Sequence, residues 1–516
     1  MKNIELQKDG REALIRITQE SKAKLLRLLF HRYPSKEWGT FFRFGYRRTS
    51  WGILITYVDA ITPEPGDLDR RSHIVEFRTA YIQRALTHLD ESSLAIGVIH
   101  SHPQGCGVGP SLTDDDMDSY FSEEFERFSA GRPYASLIVA QTEECEFHFS
   151  GRVFDKGEWF DVKTMLTSGE ALKRERSSRL RRIIEEEEAH EEGDPLERVS
   201  QLLGEKAPRM LNGAVAGVVG ASGTGSPALH ILARAGLGEL VVVDPGRAKN
   251  SNHQRNLAMK DSDLKNEHKP FKVELAKRMV AEINPAIKVR AFVGDVLDDI
   301  VLDELVRCDV ILGCSDSNYA RAALGDIAVQ YLVPVIDLAV QMRAEAGVLR
   351  EQLCEVAYYT PGTPCPWCCN RVSALAIRYE TSTDAERKFM ADAAEEAEKR
   401  GVDGAQYWGG TPPPELTVGY LTTMLGAMGA GYAQNLILGS GKLPHNRFQF
   451  DIGVQSFGVV EDEREPNHDC ACRRVGGWAD QAKADRSVSK PHHWPTPFEV
   501  CSRNLANTKG MPFPGN

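Results

Sequence analysis

Three observations predict an α/β protein with two unlike halves. Residues 215–256 read as a βαβ unit whose first strand opens into a glycine-rich turn. Residues 95–102 form a short apolar run that ends in two histidines one residue apart. The chain has 516 residues, more than one ordinary core organises, so two or three domains are expected.

Composition narrows the function. A net charge of −11 argues against a nucleic-acid partner. No apolar run reaches membrane-spanning length, and the first 18 residues lack the apolar core of a secretory signal. Five of the eleven cysteines fall in two tight clusters, Cys365/Cys368/Cys369 and Cys470/Cys472. That distribution favours metal binding in a reducing compartment, hence a cytoplasmic protein.

Residues 1–165 read as mixed α/β. Helical spacing covers 17–33, strands flanking a turn cover 40–45 and 52–58, and 77–88 suits a helix. Residues 95–99 form a buried strand that runs straight into His100, Ser101 and His102. A glycine-rich loop, the run from Ser111 to Asp114, a helical stretch and a strand at 135–140 follow.

The histidines carry the chemistry of this half. Residues i and i+2 at a strand end project to the same side, so His100 and His102 can converge on one ion. Asp114 supplies a third ligand after a loop that folds back, and Asp115 and Asp116 compete for that role. Three protein ligands leave a fourth position for water, whose pKa zinc lowers to about 7. Glu37 is a candidate general base, and Ser111 could donate to a developing oxyanion. These residues resemble the JAMM motif of the JAB1/MPN/Mov34 metallopeptidases, which cut after the C-terminal glycine of ubiquitin-like proteins. The resemblance implies a JAB/MPN α/β domain, a catalytic zinc on His100, His102 and Asp114, Glu37 as acid/base and Ser111 as stabiliser of the intermediate. The loop between His102 and Ser111 is one residue longer than usual and contains Cys106.

Residues 166–195 are charged and helix-prone, with opposite charges at i,i+4, and are expected to be a helical linker.

The second half, residues 196–475, begins with the βαβ unit. Val215 to Val219 is a strand, Gly220, Gly223 and Gly225 shape a turn, and a second strand at 240–243 ends in Asp244. Such a turn lets a backbone approach a phosphate at a helix N-terminus, and an acid at the second strand's end suits a ribose hydroxyl. Asn252, Arg255 and Lys272 follow, then Asp316 and Arg321 beyond a third apolar run at 310–312. A triphosphate with magnesium needs such cations and a carboxylate. This constellation resembles the ThiF/E1 superfamily, which adenylates the C-terminal glycine of ubiquitin-like proteins. The resemblance implies a Rossmann-like adenylation domain that uses ATP and Mg²⁺. It assigns Asp244 to ribose, Asn252, Arg255 and Lys272 to the phosphates, and Asp316 to Mg²⁺. Ser222 stands where the family turn has its second glycine. Relatives lend an arginine to the partner subunit, which implies a homodimer. Arg198 and Arg209 both qualify here.

A CxxC at Cys365 and Cys368 with a distant CxC at Cys470 and Cys472 fits a structural zinc with every position filled. Cys369 or His468 could replace one ligand. Between the pairs lie an acidic helical stretch at 383–400, a proline loop at 412–414 and a helix rich in small residues at 419–436. Residues 476–516 form a polar tail.

Together the two resemblances imply a bifunctional enzyme. One half processes or deconjugates a ubiquitin-like protein, and the other activates its C-terminal glycine for an E2-like protein or another acyl acceptor. Such pairings resemble bacterial ubiquitin-like conjugation systems, some linked to phage defence. A sulfur-carrier system, in which the JAMM half trims the carrier, is the second enzymatic reading. A regulatory module that only holds its partner is a third. No cysteine occurs at 371–469 to accept the acyl group, so direct transfer from the adenylate is expected.

Overall fold

The computed structural model describes residues 4, 6, 10–31, 36–71, 74–129, 131–142, 146–178, 196–265, 267–404, 417–441, 446–452, 458–462 and 465–500. They divide into two compact units. The first takes in the described residues within Met1–Gly193, together with Gln330–Leu332 and Val475–Asp485. The second takes in those within Asp194–Val329, Val333–Arg474 and Arg486–Asn516.

In the first unit the strands are β1 (Glu12–Thr18), β2 (Trp38–Thr49), β3 (Gly52–Ile61), β4 (Leu68–Arg71), β5 (Ile74–Phe77), β6 (Ala95–Ser101), β7 (Tyr134–Gln141), β8 (Phe147–Asp155), β9 (Glu158–Ser168) and β10 (Lys173–Arg176). The large sheet runs β1-β3-β2-β6-β7-β8-β9-β10, and β1 also pairs with β9, so the sheet closes on itself. Period-two alternation splits neighbouring aromatics between its faces. Phe42 and Phe44 join Ile55, Ile99 and Leu137 on one side, where Leu25 and Leu29 cover them. Phe41 points the other way, into Tyr81, Phe121 and Phe125 of helices Thr79–Glu91 and Leu112–Phe128.

Three expectations need correction. The helix expected over 17–33 starts at Gln19, capped by the Thr18 hydroxyl, and its last turn is a π turn at Arg27–His31. Strand β1 precedes it and supplies Ile15 and Ile17 to the core. The linker expected from residue 166 gives way to the end of β9 and to β10. Glu175 of β10 is buried against Lys22 and accepts Lys173 at 2.9 Å, so a charged sequence still makes a core-facing strand. The remainder of that segment, 179–195, lies outside the described residues. The expected tail is divided: Val475–Asp485 belongs to the first unit and residues 486–500 to the second. Thr56 donates to the Gly477 carbonyl at 2.6 Å and Arg47 pairs with Asp480 at 3.1 Å. Residues 501–516 lie outside the described residues.

The second unit holds β11 (Val215–Val219), β12 (Glu239–Val243), β13 (Lys288–Val293), β14 (Val310–Gly313), β15 (Val335–Glu345), β16 (Val348–Tyr359), β17 (Arg447–Asp451), β18 (Gly458–Asp462) and β19 (Phe498–Glu499). The sheet order is β18-β17-β16-β15-β14-β11-β12-β13-β19. Strands β13, β12, β11, β14 and β15 are parallel; β16, β17, β18 and β19 are antiparallel to their neighbours. This is a Rossmann-like arrangement. Its strand order reverses at β11 and β14, which opens a crevice at their carboxyl ends. Helix Gly225–Arg234 leaves β11 and crosses the glycine- and alanine-rich helix Gly419–Leu438. A β-carbon at Gly426 would sit 2.3 Å from the Thr224 carbonyl, so the close crossing requires glycine there. The proline loop at 412–414 lies outside the described residues. Among the described residues no helix is long and apolar enough to cross a membrane.

Candidate functional site

The crevice at the strand-order reversal is a cavity of about 1540 Å³. Its wall begins at the glycine turn. Gly220 has φ +94°, and a β-carbon there would lie 2.7 Å from the Cys314 carbonyl oxygen. Gly225 stands behind the turn, where a β-carbon would be 1.8 Å from the Gly220 oxygen. Gly223 faces the cavity. Ser222 stays compatible with the turn because its backbone carbonyl accepts from Ser226 N at 2.8 Å and Ser226 Oγ at 2.7 Å. Its own hydroxyl oxygen is buried and finds no partner among the described residues.

Asp244 closes the next strand. Oδ2 accepts from Ala221 N at 2.8 Å and Oδ1 from Gly246 N at 2.7 Å, so the acid ties both sides of the turn together. Lys272 Nζ stands 3.4 Å from it. Asn252 is buried and accepts from Lys249 N at 3.2 Å, which fixes its amide at the cavity wall. Arg255 is steered by a hydrogen bond to the Thr417 hydroxyl. Asp316 is exposed at the mouth, with no hydrogen bond or ion pair among the described residues. Gly220, Gly223, Asp244, Asn252, Arg255, Lys272 and Asp316 thus line one space.

The sequence reading missed the far wall. Asp337 is buried and accepts from Arg321 at 2.8 Å, Arg371 at 2.8 Å and the Tyr359 hydroxyl at 3.3 Å. Glu355 takes Arg371, and Arg447 at 2.7 Å. Arg321, which resembled a phosphate cation in sequence, is thereby committed to Asp337. The coupling of β15 to β16 and β17, with Arg321 from helix Asn318–Gln330 and Arg371 from the loop after the first cysteine pair, brings these charges together, and no local motif signals it.

The cysteine pairs meet. Cys365 Sγ lies 3.7 Å from Cys368 and 3.6 Å from Cys470, and Cys368 lies 3.8 Å from Cys472. These separations are far too long for disulfides. Tetrahedral thiolates about 2.3 Å from zinc stand about 3.8 Å apart, so the four sulfurs fit a structural zinc. Hydrogen bonding among the cluster's sulfurs, Cys472 foremost, holds the Cys365 thiol down at about 5, and burial raises Cys470 to about 11. Cys369 turns away, towards the Pro364 carbonyl at 3.8 Å, and the exposed His468 pairs with Asp469 at 3.0 Å. Neither is needed as a substitute ligand.

In the first unit His100, His102 and Asp114 bring their ligand atoms within 4.8 Å of one another. His100 Nε2 is 3.2 Å from Asp114 Oδ1. Two donors about 2.0–2.1 Å from one tetrahedral zinc stand about 3.3 Å apart, which matches. His102 Nδ1 lies 2.6 Å from the Gly107 carbonyl. As donor in that bond it leaves the Nε2 lone pair for a metal. Ser111 caps helix Leu112–Phe128 in a reciprocal box with Asp114, its hydroxyl accepting from Asp114 N at 3.2 Å. Burial opposes ionisation of Asp114, but hydrogen bonds from His100 and Ser111 outweigh it and hold the carboxyl well below its usual range. Asp115 is bound to Arg152 at 2.6 Å and Asp116 is exposed, so of the three carboxylates it is Asp114 that groups with the histidines. Trp38 pairs with Ser101 and Gly39 with His100 across β2 and β6. Glu37 immediately precedes β2. Cys106 is exposed in the loop and outside the ligand group.

Residues 197–472 match the model of the ThiF family. The SAMP-activating enzyme E1 of Haloferax volcanii is 34% identical over 132 residues, 26% of this chain and 47% of that protein. The sulfur carrier protein ThiS adenylyltransferase of Escherichia coli is 29% identical over 119 residues, 23% of this chain and 46% of that protein. The chain thus spans less than half the length of these curated relatives. The crystal structure of Escherichia coli MccB with MccA-N7isoASN aligns at a TM-score of 0.41 and 18% identity, over 55% of this chain and 75% of that one.

Proposed function

The chain belongs to the ThiF family, and from that premise we propose that its second unit adenylates the C-terminal glycine of a ubiquitin-like protein. The observation that carries this reading is the convergence of residues from Gly220 to Asp316 on one cavity at the strand-order reversal. A carboxylate oxygen of the terminal glycine attacks the α-phosphorus of ATP, the bond to the bridging oxygen breaks, and pyrophosphate leaves. Asp244 orients the ribose. Asn252, Arg255 and Lys272 bind the phosphates and offset the charge that develops in transfer. Asp316, with its untied carboxylate, would hold Mg²⁺. Pyrophosphate exchange that depends on a partner ending in Gly-Gly tests this. Exchange without any such partner, or none with a panel of them, speaks against it.

The first unit, on this reading, is a JAMM peptidase for the same glycine. His100, His102 and Asp114 would hold zinc, which supplies an activated water and polarises the scissile carbonyl. Glu37 takes the proton and returns it to the leaving amine, and Ser111 donates from its capping position. The geometry of the His100–His102–Asp114 group supports this assignment. The partners are a ubiquitin-like protein and an E2-like protein or other acyl acceptor, in a reducing cytoplasmic setting. Arg198 and Arg209, both exposed, are the candidates for contact with a second copy in a homodimer. Light scattering at micromolar concentration with ATP tests that assembly.

The second reading is sulfur-carrier activation, which the similarity to the Escherichia coli ThiS adenylyltransferase favours. The two part at the product: glycine on sulfur in one case, on a protein side chain in the other.

A further inference from the structure

The segment at 487–500 lies beyond the part of the chain that matches the ThiF family, yet it is built into the cavity. It is fastened along its length. Ser487 donates through N and Oγ to Asp326 at 2.7 and 2.9 Å, and Lys490 pairs with Asp298 and donates to the Pro495 carbonyl at 2.9 Å. Strand β19 then pairs with β13, and Arg290 grips Glu499 at 3.0 Å. Gly294 permits this seat, since a β-carbon there would lie 2.5 Å from Pro497 Cβ. The result is that Trp494 and Pro495 wall the cavity beside the ends of β12 and β13. Trp494 is itself propped edge-on against Tyr319, with ring centroids 4.9 Å apart.

Next to this wall is Asp295, two residues past β13 and lining the same lobe. Its Oδ1 is already taken by Leu297 N at 2.9 Å and the Tyr319 hydroxyl at 3.0 Å. Oδ2 accepts from no described residue. A nucleotide with its ribose at Asp244 and its phosphates at the glycine turn sends its base towards the ends of β12 and β13. A single open acceptor suits the one exocyclic amino group of adenine. Guanine presents two adjacent donors and asks for both oxygens of a carboxylate.

We propose that residues 487–500 complete the nucleotide site, with Trp494 packing on the base and Asp295 Oδ2 accepting from the 6-amino group of adenine. This rests on the adenylation reading above, because it takes ATP as the occupant.

The test is equilibrium binding of ATP, inosine triphosphate and GTP to the full chain and to its Asp295→Ala and Trp494→Ala variants, with thermal unfolding as the folding control. The expected result is a preference of the wild type for ATP over inosine triphosphate of about tenfold or more, the value of one well-placed hydrogen bond to a charged group. Asp295→Ala should collapse that ratio towards one, and Trp494→Ala should weaken all three nucleotides about equally. An unchanged ratio in a folded Asp295→Ala variant overturns the assignment of Asp295, as does a wild-type preference for GTP. Unchanged affinities in Trp494→Ala overturn the role of the segment. If the wild type exchanges pyrophosphate with ATP but shows no base preference, only this inference fails. If it binds no nucleotide, the adenylation reading fails with it. If the alanine variant at 295 unfolds, Asp295→Asn is read in its place, and an unchanged ratio there overturns the assignment.

Discussion

A β-carbon at Gly225 would stand 1.8 Å from the carbonyl oxygen of Gly220. The first and last glycines of the turn therefore close on each other, backbone to backbone, and no rotamer can relieve an added methyl. Gly225→Ala should destabilise the second unit by about 1–3 kcal/mol, the usual cost of forcing atoms into a packed site. Gly223→Ala would meet the flexible Arg255 side chain at 3.1 Å and the Thr422 hydroxyl at 3.3 Å, with no backbone atom in the way, and should cost much less. Denaturant unfolding of the two variants checks the contrast. Equal loss in both would mean that the turn is held differently.

The two metal groups give a counting experiment. Wild-type protein purified with zinc should bind two ions per chain, Cys472→Ser one, His102→Ala one, and the double variant none. Asp115→Asn should keep both, because Asp115 serves Arg152. Elemental analysis reads the count directly. A single zinc in the wild type would remove one of the assignments.

Glu37→Ala should retain zinc and lose peptidase activity by about 10²–10⁴-fold, the range for a positioned general base. The substrate is a fusion carrying extra residues after the partner's terminal glycine, and chelation should stop cleavage in the wild type. Full activity in the variant would exclude Glu37 from the chemistry.

In the adenylation half, Asp316→Ala should abolish pyrophosphate exchange. No thiol-sensitive adduct should form on the wild type, because buried Cys369 faces the Pro364 carbonyl and Cys354 is buried in β16. Non-reducing gels after incubation with Mg-ATP and partner decide this. An adduct lost in Cys369→Ala or Cys501→Ala, with exchange intact, would put a thioester relay in place of direct transfer.

Asp295 also predicts a pH dependence. Burial pushes its carboxyl from the ordinary 3.8 up to about 6. The folded state then holds a proton that the unfolded chain releases between those values, so this group's contribution to stability falls as pH rises from about 4 to about 6. Asp295→Asn should flatten that part of the stability profile. Denaturant midpoints of the nucleotide-free protein at pH 4.5 and 6.5, in both proteins, show whether it does.

Much of this was legible in the sequence where a signal was local. Val215 to Val219 reads as a strand because both faces are buried and a glycine turn punctuates it. The cysteine spacing pointed to the four sulfurs, with Cys369 and His468 as alternatives that only the structure sets aside. β1 was hidden because Arg16 interrupts its apolar residues and Ile17 runs on into the helix that follows. β10 was hidden because its charges are paired inside the fold with Lys22 as partner. Asp337, Glu355, Arg371 and Arg447 could not be read at all: each is unremarkable alone, and only the register of β15, β16 and β17, with Arg371 entering from the loop after the first cysteine pair, makes them a network.

The first unit is not contiguous in the chain. It needs Tyr331, whose hydroxyl reaches Asp480, and it needs Gly477 against β3. A ribosome adding about 5–20 residues per second would finish β10 and then work on for about 15–60 s before supplying Asp485. The half that is begun first is therefore not complete until most of the second has also been made. A nascent chain cut short anywhere in between carries His100, His102 and Asp114 without the rest of their unit. Recombination at the junction near residue 195 cannot move the first unit to another protein intact, so inheritance as well as synthesis keeps the two halves on one strand of message.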